Sequence, residues 1–363
     1  MSEASAGAIY LARHADGIAA CQRFARSYAR HPAGMPHDLV VIYKGFEQPA
    51  DLMAARAAFD GLPHIEIGLP DVGFDLGAYA QASRQLGQDY LVFLNTHSEI
   101  AAPNWLAQLF RCASRDDVGI AGSMGSYESI RNTVLLFRNA IWESIGAGKH
   151  YDRWLAYYFD FVLSQYHADW YGPSGEVRAP RPGPAGPFAR LLRIAARARR
   201  RAWFEKAGTA PIWRGSIPFD CMRFPAFPNP HIRSNGFMMR RARFLQLGLP
   251  STPEKFDTSL FESGPDSMTA RLRAQGLRVA VVGADGEQHE VADWWRSGTF
   301  RQGDQRNLLF ADNHTRAFAA MSPGGRATHQ RTTWGDFLGP APEHFPGLGV
   351  LFPKGDFGTR AAG

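Results

Sequence analysis

The sequence predicts an α/β fold, a mainly parallel sheet flanked by helices, and three observations carry that prediction. Five short apolar runs fall within the first 125 residues. Helix-length stretches separate them, with apolar residues recurring every three or four positions,. Polar residues follow the ends of the runs, the edge at which open parallel sheets hold their ligands,. At 363 residues the chain suits one large α/β domain with an appendage,.

The elements follow in order. "AIYLA" (8–12) is a short strand ending at Arg13, and residues 17–30 place Ile18, Cys21, Phe24, Ala25 and Tyr28 on one helical face. "DLVVIYKGF" (38–46) is a second buried strand that delivers Tyr43 and Lys44, with a helical stretch over 49–60 after it. "HIEIGLP" (64–70) leads to Asp71 and then to a helix over 74–87. "YLVFL" (90–94) breaks off abruptly into Asn95, Thr96, His97, Ser98 and Glu99. A helix over 102–114 precedes a fifth strand at 118–125. Strands alternating with helices in this way are βαβ units.

Beyond residue 150 the pattern changes. Residues 1–150 read as the α/β half that binds the first ligand, and 151–216 as a helical, Pro/Gly- and Arg-rich insertion. Residues 217–320 read as a second half of the same domain, and 321–363 as a loop-rich tail. Within the insertion, "YDRWLAYYFDFVL" (151–163) has the look of an aromatic helix. "APRPGPAGP" (179–187) cannot remain helical,. "FARLLRIAARARRRAWF" (188–204) is amphipathic, with Phe188, Leu191, Leu192, Ala195 and Ala202 opposite its arginines. Later, a helix is expected over 267–276 and a strand over 277–283.

With 45% hydrophobic and 20% charged residues, the chain has material for a core and is not globally disordered,. No run of about 18 apolar residues exists, and the N-terminus lacks a secretory pattern,. Cys21, Cys112 and Cys221 are isolated, which argues against a disulfide framework or zinc cluster and fits a reducing cytoplasm,. The net charge of +6 is uneven, since six arginines lie between Arg190 and Arg201. An anionic membrane surface is the partner expected for 188–204, against a merely solvated face. Nucleic acid is disfavoured because no recognition motif accompanies the charge.

"DVGFDLGAYAQASRQLG" (71–87), with Asp71, Gly73, Asp75, Gly77 and Tyr79, precedes a strand ending in Asn95-Thr96-His97. This arrangement resembles the GT-A-fold glycosyltransferases of the large family-2-like class, and its wording resembles the rhamnan-synthesis, surface-polysaccharide type. The resemblance covers about residues 8–125 and, more weakly, 224–290. It implies a GT-A-like (Rossmann-like) fold, a nucleotide-sugar donor and a glycan acceptor, with a hexosyl or deoxyhexosyl group moved to a hydroxyl. It also implies a cytoplasmic protein, peripheral on the inner face of the membrane. In that class the strand ends in Asp-x-Asp, two hard oxygen ligands for Mg²⁺ or Mn²⁺. Here Asn95 and His97 stand in its place. His97 and Glu99 could hold a divalent metal with the diphosphate, or Asn95 and His97 could bind diphosphate without metal. Alternatively Asn95 and Ser98 only cap the strand end.

The donor-side candidates are Arg13, Tyr43, Lys44, Asp71, Gly73, Asp75, Asn95 and His97. Gly73 allows close backbone approach and bares amides at a helix start, a natural anion site. Asp75 either steadies that helix or meets a sugar hydroxyl. By resemblance, His231, Arg233 and Asn235 in "FPNPHIRSNGFMMRR" contact diphosphate or acceptor. The class carries its base in a Glu-Asp pair, whose place here is taken by Gly264-Pro265. Glu262 is therefore the first candidate to deprotonate the acceptor and Asp266 the second. "WWRSGTFRQGDQRNLLFADNHTRAF" (294–318) is expected as a lid or sugar-binding surface, with Trp294, Trp295, Arg301, Gln305, Asp312, Asn313 and His314 as pocket contributors. A nucleotidyl- or phosphotransferase would want a Gly-rich loop with Lys and a carboxylate pair, and neither is present as a clean motif. A degenerate transferase kept as a glycan- or membrane-binding module is the non-enzymatic alternative.

Overall fold

The computed structural model describes residues 4–133, 223–249 and 255–339, together with 253. The aromatic stretch 151–163, the linker 179–187, the arginine stretch 188–204, Cys221 and the last 24 residues lie outside the described residues. The expected elements of the first part are present as β1 (Ala6–Arg13), α1 (Ile18–Arg30), β2 (Asp38–Lys44), α2 (Pro49–Ala57), β3 (Ile65–Leu69), α3 (Phe74–Gln85) and β4 (Tyr90–Leu94). After these come β5 (Glu99–Ile100), α4 (Trp105–Ala113), β6 (Val118–Gly122) and β7 (Gly125–Ser126). The second part contributes β8 (His231–Ile232), β9 (Phe237–Arg240), α5 (Arg241–Gln246), α6 (Lys255–Ser263), α7 (Met268–Ala274), β10 (Arg278–Val282) and β11 (Gln288–His289). It closes with β12 (Phe310–Ala311), α8 (Asn313–Ala320) and α9 (Pro323–Trp334).

The fold is α/β with a large, mainly parallel sheet flanked by helices, in the order β11-β10-β6-β9-β4-β1-β2-β3. β1 pairs in parallel with β2 and β4, β2 with β3, and β6 with β10. Two strands run against the parallel set: β9 lies antiparallel between β4 and β6, and β11 pairs antiparallel with β10 at one edge. In β9, Phe237, Met238 and Met239 are buried on both faces, as an interior strand requires,.

The alternation of side chains decides what reaches the ligand edge. Ile9, Leu11, Val40, Ile42, Leu91 and Phe93 lie in the core layer that includes α3, and Tyr10, Val41, Tyr43 and Val92 in the layer of α1, α2 and α4. With a period of two, Arg13, Lys44 and Asn95 continue the first layer beyond the strand ends. The chain leaves β1 toward β2 and β3, then returns to β4 on the other side of β1. Such a switch opens a crevice outside the carboxyl ends of β1 and β4.

Within the tail expected as loops, residues 323–334 instead form α9. Ser322 caps it by accepting from the Gly325 amide, and Pro323 occupies a first-turn position where no amide is needed,. Trp334 then anchors its end, fully buried against Tyr127. Among the described residues no helix is long and apolar enough to cross a membrane.

Candidate functional site

At the β1 end of the crevice, Arg13 grips Asp71 in a two-pronged ion pair, its Nε and Nη2 donating to the two carboxylate oxygens at 2.8 and 2.9 Å. The guanidinium holds the Asp71 carboxyl below its ordinary range. Lys44 is only 2% exposed; its Nζ donates to the Phe74 carbonyl at 2.7 Å and lies 3.5 Å from Asp71. Burial pushes its ammonium pKa down, while Asp71 opposes that shift,. Lys44 thus braces the β3–α3 turn rather than facing solvent. The turn is tight: Gly45 has φ +77°, and a Cβ there would stand 2.9 Å from Asp71 Cβ. Gly73 and Phe74 are both left-handed, at φ 78° and 51°, so the α3 amides open beside the cations,. Asp75 Oδ1 accepts from the Leu76 amide at 2.9 Å. Tyr43 points the other way, into the layer beneath α2, with its hydroxyl 3.3 Å from His64 Nε2. Burial raises its phenol pKa, and it does not join the cluster.

The polar end of β4 is largely spent on its own turn. Asn95 Oδ1 accepts from the His97 amide at 3.0 Å, and the Asn95 amide donates to Asn235 Oδ1 at 2.9 Å. The Ser98 hydroxyl lies 2.7 Å from Asn235 Oδ1, and Asn235 Nδ2 reaches Asp312 Oδ2 at 3.4 Å. Asp312 also caps α8 in a reciprocal pair with Thr315. Asn95, Asn235 and Asp312 therefore form a strut that satisfies buried backbone groups. His97 projects beyond it, with Nε2 3.8 Å from Asp16 Oδ1. Glu99 turns to Arg316 at 3.6 Å instead of joining His97. Among the described residues no group of three or more His, Cys, Asp or Glu is placed to hold a metal ion. Among the described residues, His97 and Asp16 lie close enough together to share a divalent ion as two of its ligands.

A second cluster lies along the same edge, where the Arg233 amide donates to the Met124 carbonyl just past β6. Arg233 Nη1 is 3.2 Å from Glu262 Oε1, and its guanidinium sits 5.0 Å over the Phe300 ring. Arg301 lies 4.7 Å over that ring and pairs with Glu128 at 3.3 Å, also donating to Thr333 Oγ1 at 3.1 Å. His231 is buried, its Nδ1 2.8 Å from the Asn229 carbonyl oxygen. Burial lowers its pKa, Glu262 opposing and Arg233 reinforcing the shift. Half-buried His314 is pushed down to about 4 by burial and by Arg233. Behind it, burial drives His329 to about 2.

Other expected pocket residues fall elsewhere. Trp294 is fully buried, with Nε1 donating to the His289 carbonyl, so it belongs to the core and not to a lid. Trp295 donates to the Ala292 carbonyl and lies under the Arg296 guanidinium. Gln305 is buried between the Arg301 amide and the Thr315 carbonyl, while Asn313 is exposed. Asp266 is exposed beside a cavity of about 270 Å³, lined also by Arg223, Asp257 and Arg271, apart from Glu262. Sequence reading missed Asp16, Glu128, Phe300 and His329. Asp16 had a signal, an acidic residue just past the first strand. Glu128 had none, because its partner Arg301 is 173 positions away.

No family model and no curated protein matches the chain. Among solved structures it is similar to the mannosyltransferase PcManGT from Pyrobaculum calidifontis in complex with GDP-Man and Mn²⁺. The identity is 12% and the TM-score 0.29, over 38% of this chain and 39% of that one. It is also similar to GalNAc-T7 with UDP, GalNAc and Mn²⁺, at 18% identity and TM-score 0.27, over 33% of this chain and 23% of that one. The chain therefore spans well under half the length of either structure.

Proposed function

We propose that the chain is a glycosyltransferase that moves a sugar from a nucleotide-sugar donor to a hydroxyl of a glycan acceptor. One observation carries the reading: a cationic cluster and a carboxylate lie along one sheet edge at a topological switch. Arg13 and Lys44 surround Asp71 there, with the α3 amides beside them, and Glu262 lies with Arg233 farther along. The leaving diphosphate would be met by Arg13, His97 and the α3 amides, while buried Lys44 acts through the turn it holds. Glu262 would accept the acceptor's hydroxyl proton as that oxygen bonds to the anomeric carbon and the bond to the diphosphate breaks. Arg233 would orient the carboxylate, and the neutral His314 could accept a hydrogen bond from a second sugar hydroxyl. A divalent ion held by His97 and Asp16 would add charge neutralisation at the diphosphate.

The finer reading is a surface-polysaccharide enzyme of the rhamnan-synthesis type, with a hexosyl or deoxyhexosyl donor and a lipid-linked acceptor. On this reading the basic stretch 188–204 would rest on an anionic membrane, each nearby charge contributing about 1 kcal/mol. Neutralising Arg197, Arg199, Arg200 and Arg201 should then abolish binding to anionic vesicles. A binding module without turnover is the second reading, favoured by Asp71 and Glu262 both standing in ion pairs.

A thermal-shift screen against UDP-, GDP-, dTDP- and CMP-sugars, each with Mn²⁺ and with EDTA, tests the proposal by mass action. A shift confined to one nucleotide, lost in His97→Ala and Asp75→Ala, supports the site. No shift for any donor sinks the donor site; a shift with no turnover leaves the binding module.

A further inference from the structure

We infer that Arg316 is a positioning residue for the donor side of the site, and that α8 ties the donor side to the acceptor side. The inference rests on the transferase reading and adds to it a residue whose guanidinium is engaged with the His97 turn. Arg316 sends Nη1 and Nη2 to one acceptor, the His97 carbonyl, at 3.2 Å each. The same guanidinium pairs with Glu99 at 3.6 Å. One side chain thus holds the C-terminal half of the turn that presents His97 to Asp16. The hold is reinforced along the chain just before α8. β12 pairs antiparallel with β5, Phe310 opposite Ile100 and Ala311 opposite Glu99, and the Ala101 amide donates to the Leu309 carbonyl at 2.9 Å. The α8 cap, Asp312, reaches the strut through Asn235 at 3.4 Å.

One residue before Arg316 on the same helix, the Thr315 carbonyl accepts from Gln305 Nε2 at 2.9 Å, and Gln305 Oε1 in turn accepts from the Arg301 amide at 3.0 Å; His314, beside Thr315, also feels Arg233, Arg301 and Glu262. The eight-residue helix is fixed at its start by the reciprocal cap between Asp312 and Thr315. A shift of α8 must therefore move the His97 turn and His314 together. Alignment of donor and acceptor, on which a transferase depends, would be set by this helix.

The test compares Arg316→Ala, Arg316→Lys and the exposed control Arg306→Ala. Hydrogen exchange of the amides from 95 to 100 and donor affinity by thermal shift are both read, using the nucleotide-sugar that shifts the wild type. Arg316→Ala should speed exchange across that turn and weaken donor binding about tenfold, in line with losing a charged hydrogen bond. Arg316→Lys, able to keep one contact to the carbonyl, should recover part of both, and Arg306→Ala should change neither. Unchanged exchange and donor affinity in Arg316→Ala would overturn the inference. So would a uniform fall in melting temperature with Lys no better than Ala, the mark of a purely structural arginine. If the wild type binds no donor, the transferase reading fails, while the exchange data still decide whether Arg316 holds the turn.

Discussion

Two ion pairs, one on the proposed donor side and one on the proposed acceptor side, differ in how much water reaches them. On the donor side, Arg13 and Asp71 remain 38% and 35% exposed, and their pair is a solvated surface bridge. On the acceptor side, Arg301 and Glu128 are 3% and 13% exposed, and an aromatic ring separates their pair from Arg233 and Glu262. A solvated pair contributes little to stability and is free to exchange partners with a ligand. A dehydrated pair is costly to break, since removing one partner strands the other. On the proposed reading, anion capture would fall to a solvated arginine and folding stability to a buried one of the same edge.

Four experiments would break or sharpen that contrast. The largest effect is expected from Glu262→Gln, which should cut turnover by about 100-fold or more while donor affinity survives, as measured by steady-state kinetics beside thermal shift. If donor affinity falls equally, the acceptor side is not separate. Next comes Arg301→Met, which leaves Glu128 without its cation and should cost about 3–5 kcal/mol in denaturant unfolding.

The third experiment uses acid. His314 is held near 4 in the fold but titrates at about 6.5 when unfolded,. Between those values the unfolded chain binds more protons, so stability falls as pH drops from about 6.5 toward 4. Unfolding followed across that window should show a shallower slope in His314→Gln. The smallest effect is expected for Arg13→Gln, at most about 1 kcal/mol of stability. Asp71 is depressed by Arg13, so its contribution is present above the ordinary carboxylate range and lost only as pH falls below about 4,. Acid curves of wild type and Arg13→Gln should therefore run parallel until that point. A difference beginning near pH 6 would mean the two sides are not electrically distinct.

How much was legible depended on separation along the chain. Arg13, Lys44, Asp71 and Asn95 each follow an apolar run, so alternation and the carboxyl-edge rule located them in advance,. The side each residue faces was harder to read. Tyr43 and Lys44 are neighbours in sequence, and the pleat sends one to the core and the other to the α3 turn. Trp294 looked like a sugar platform because its local run is polar, yet it fills space against Tyr127. Residues 323–334 have the glycines of a loop, and a serine cap with a buried tryptophan makes them a helix.

By itself the sequence determined the alternation of strands and helices through residue 122, because period and turn residues are local. It likewise placed Arg13 and Lys44 at the ends of the first two strands. Only the tertiary structure decided that β9 enters antiparallel between β4 and β6, that Glu128 faces Arg301 and that Arg316 holds the His97 turn. Those contacts join residues from 115 to 219 positions apart in the chain. Nothing in a local pattern encodes them; they are settled when the two halves close on one sheet and each buried charge must find a partner.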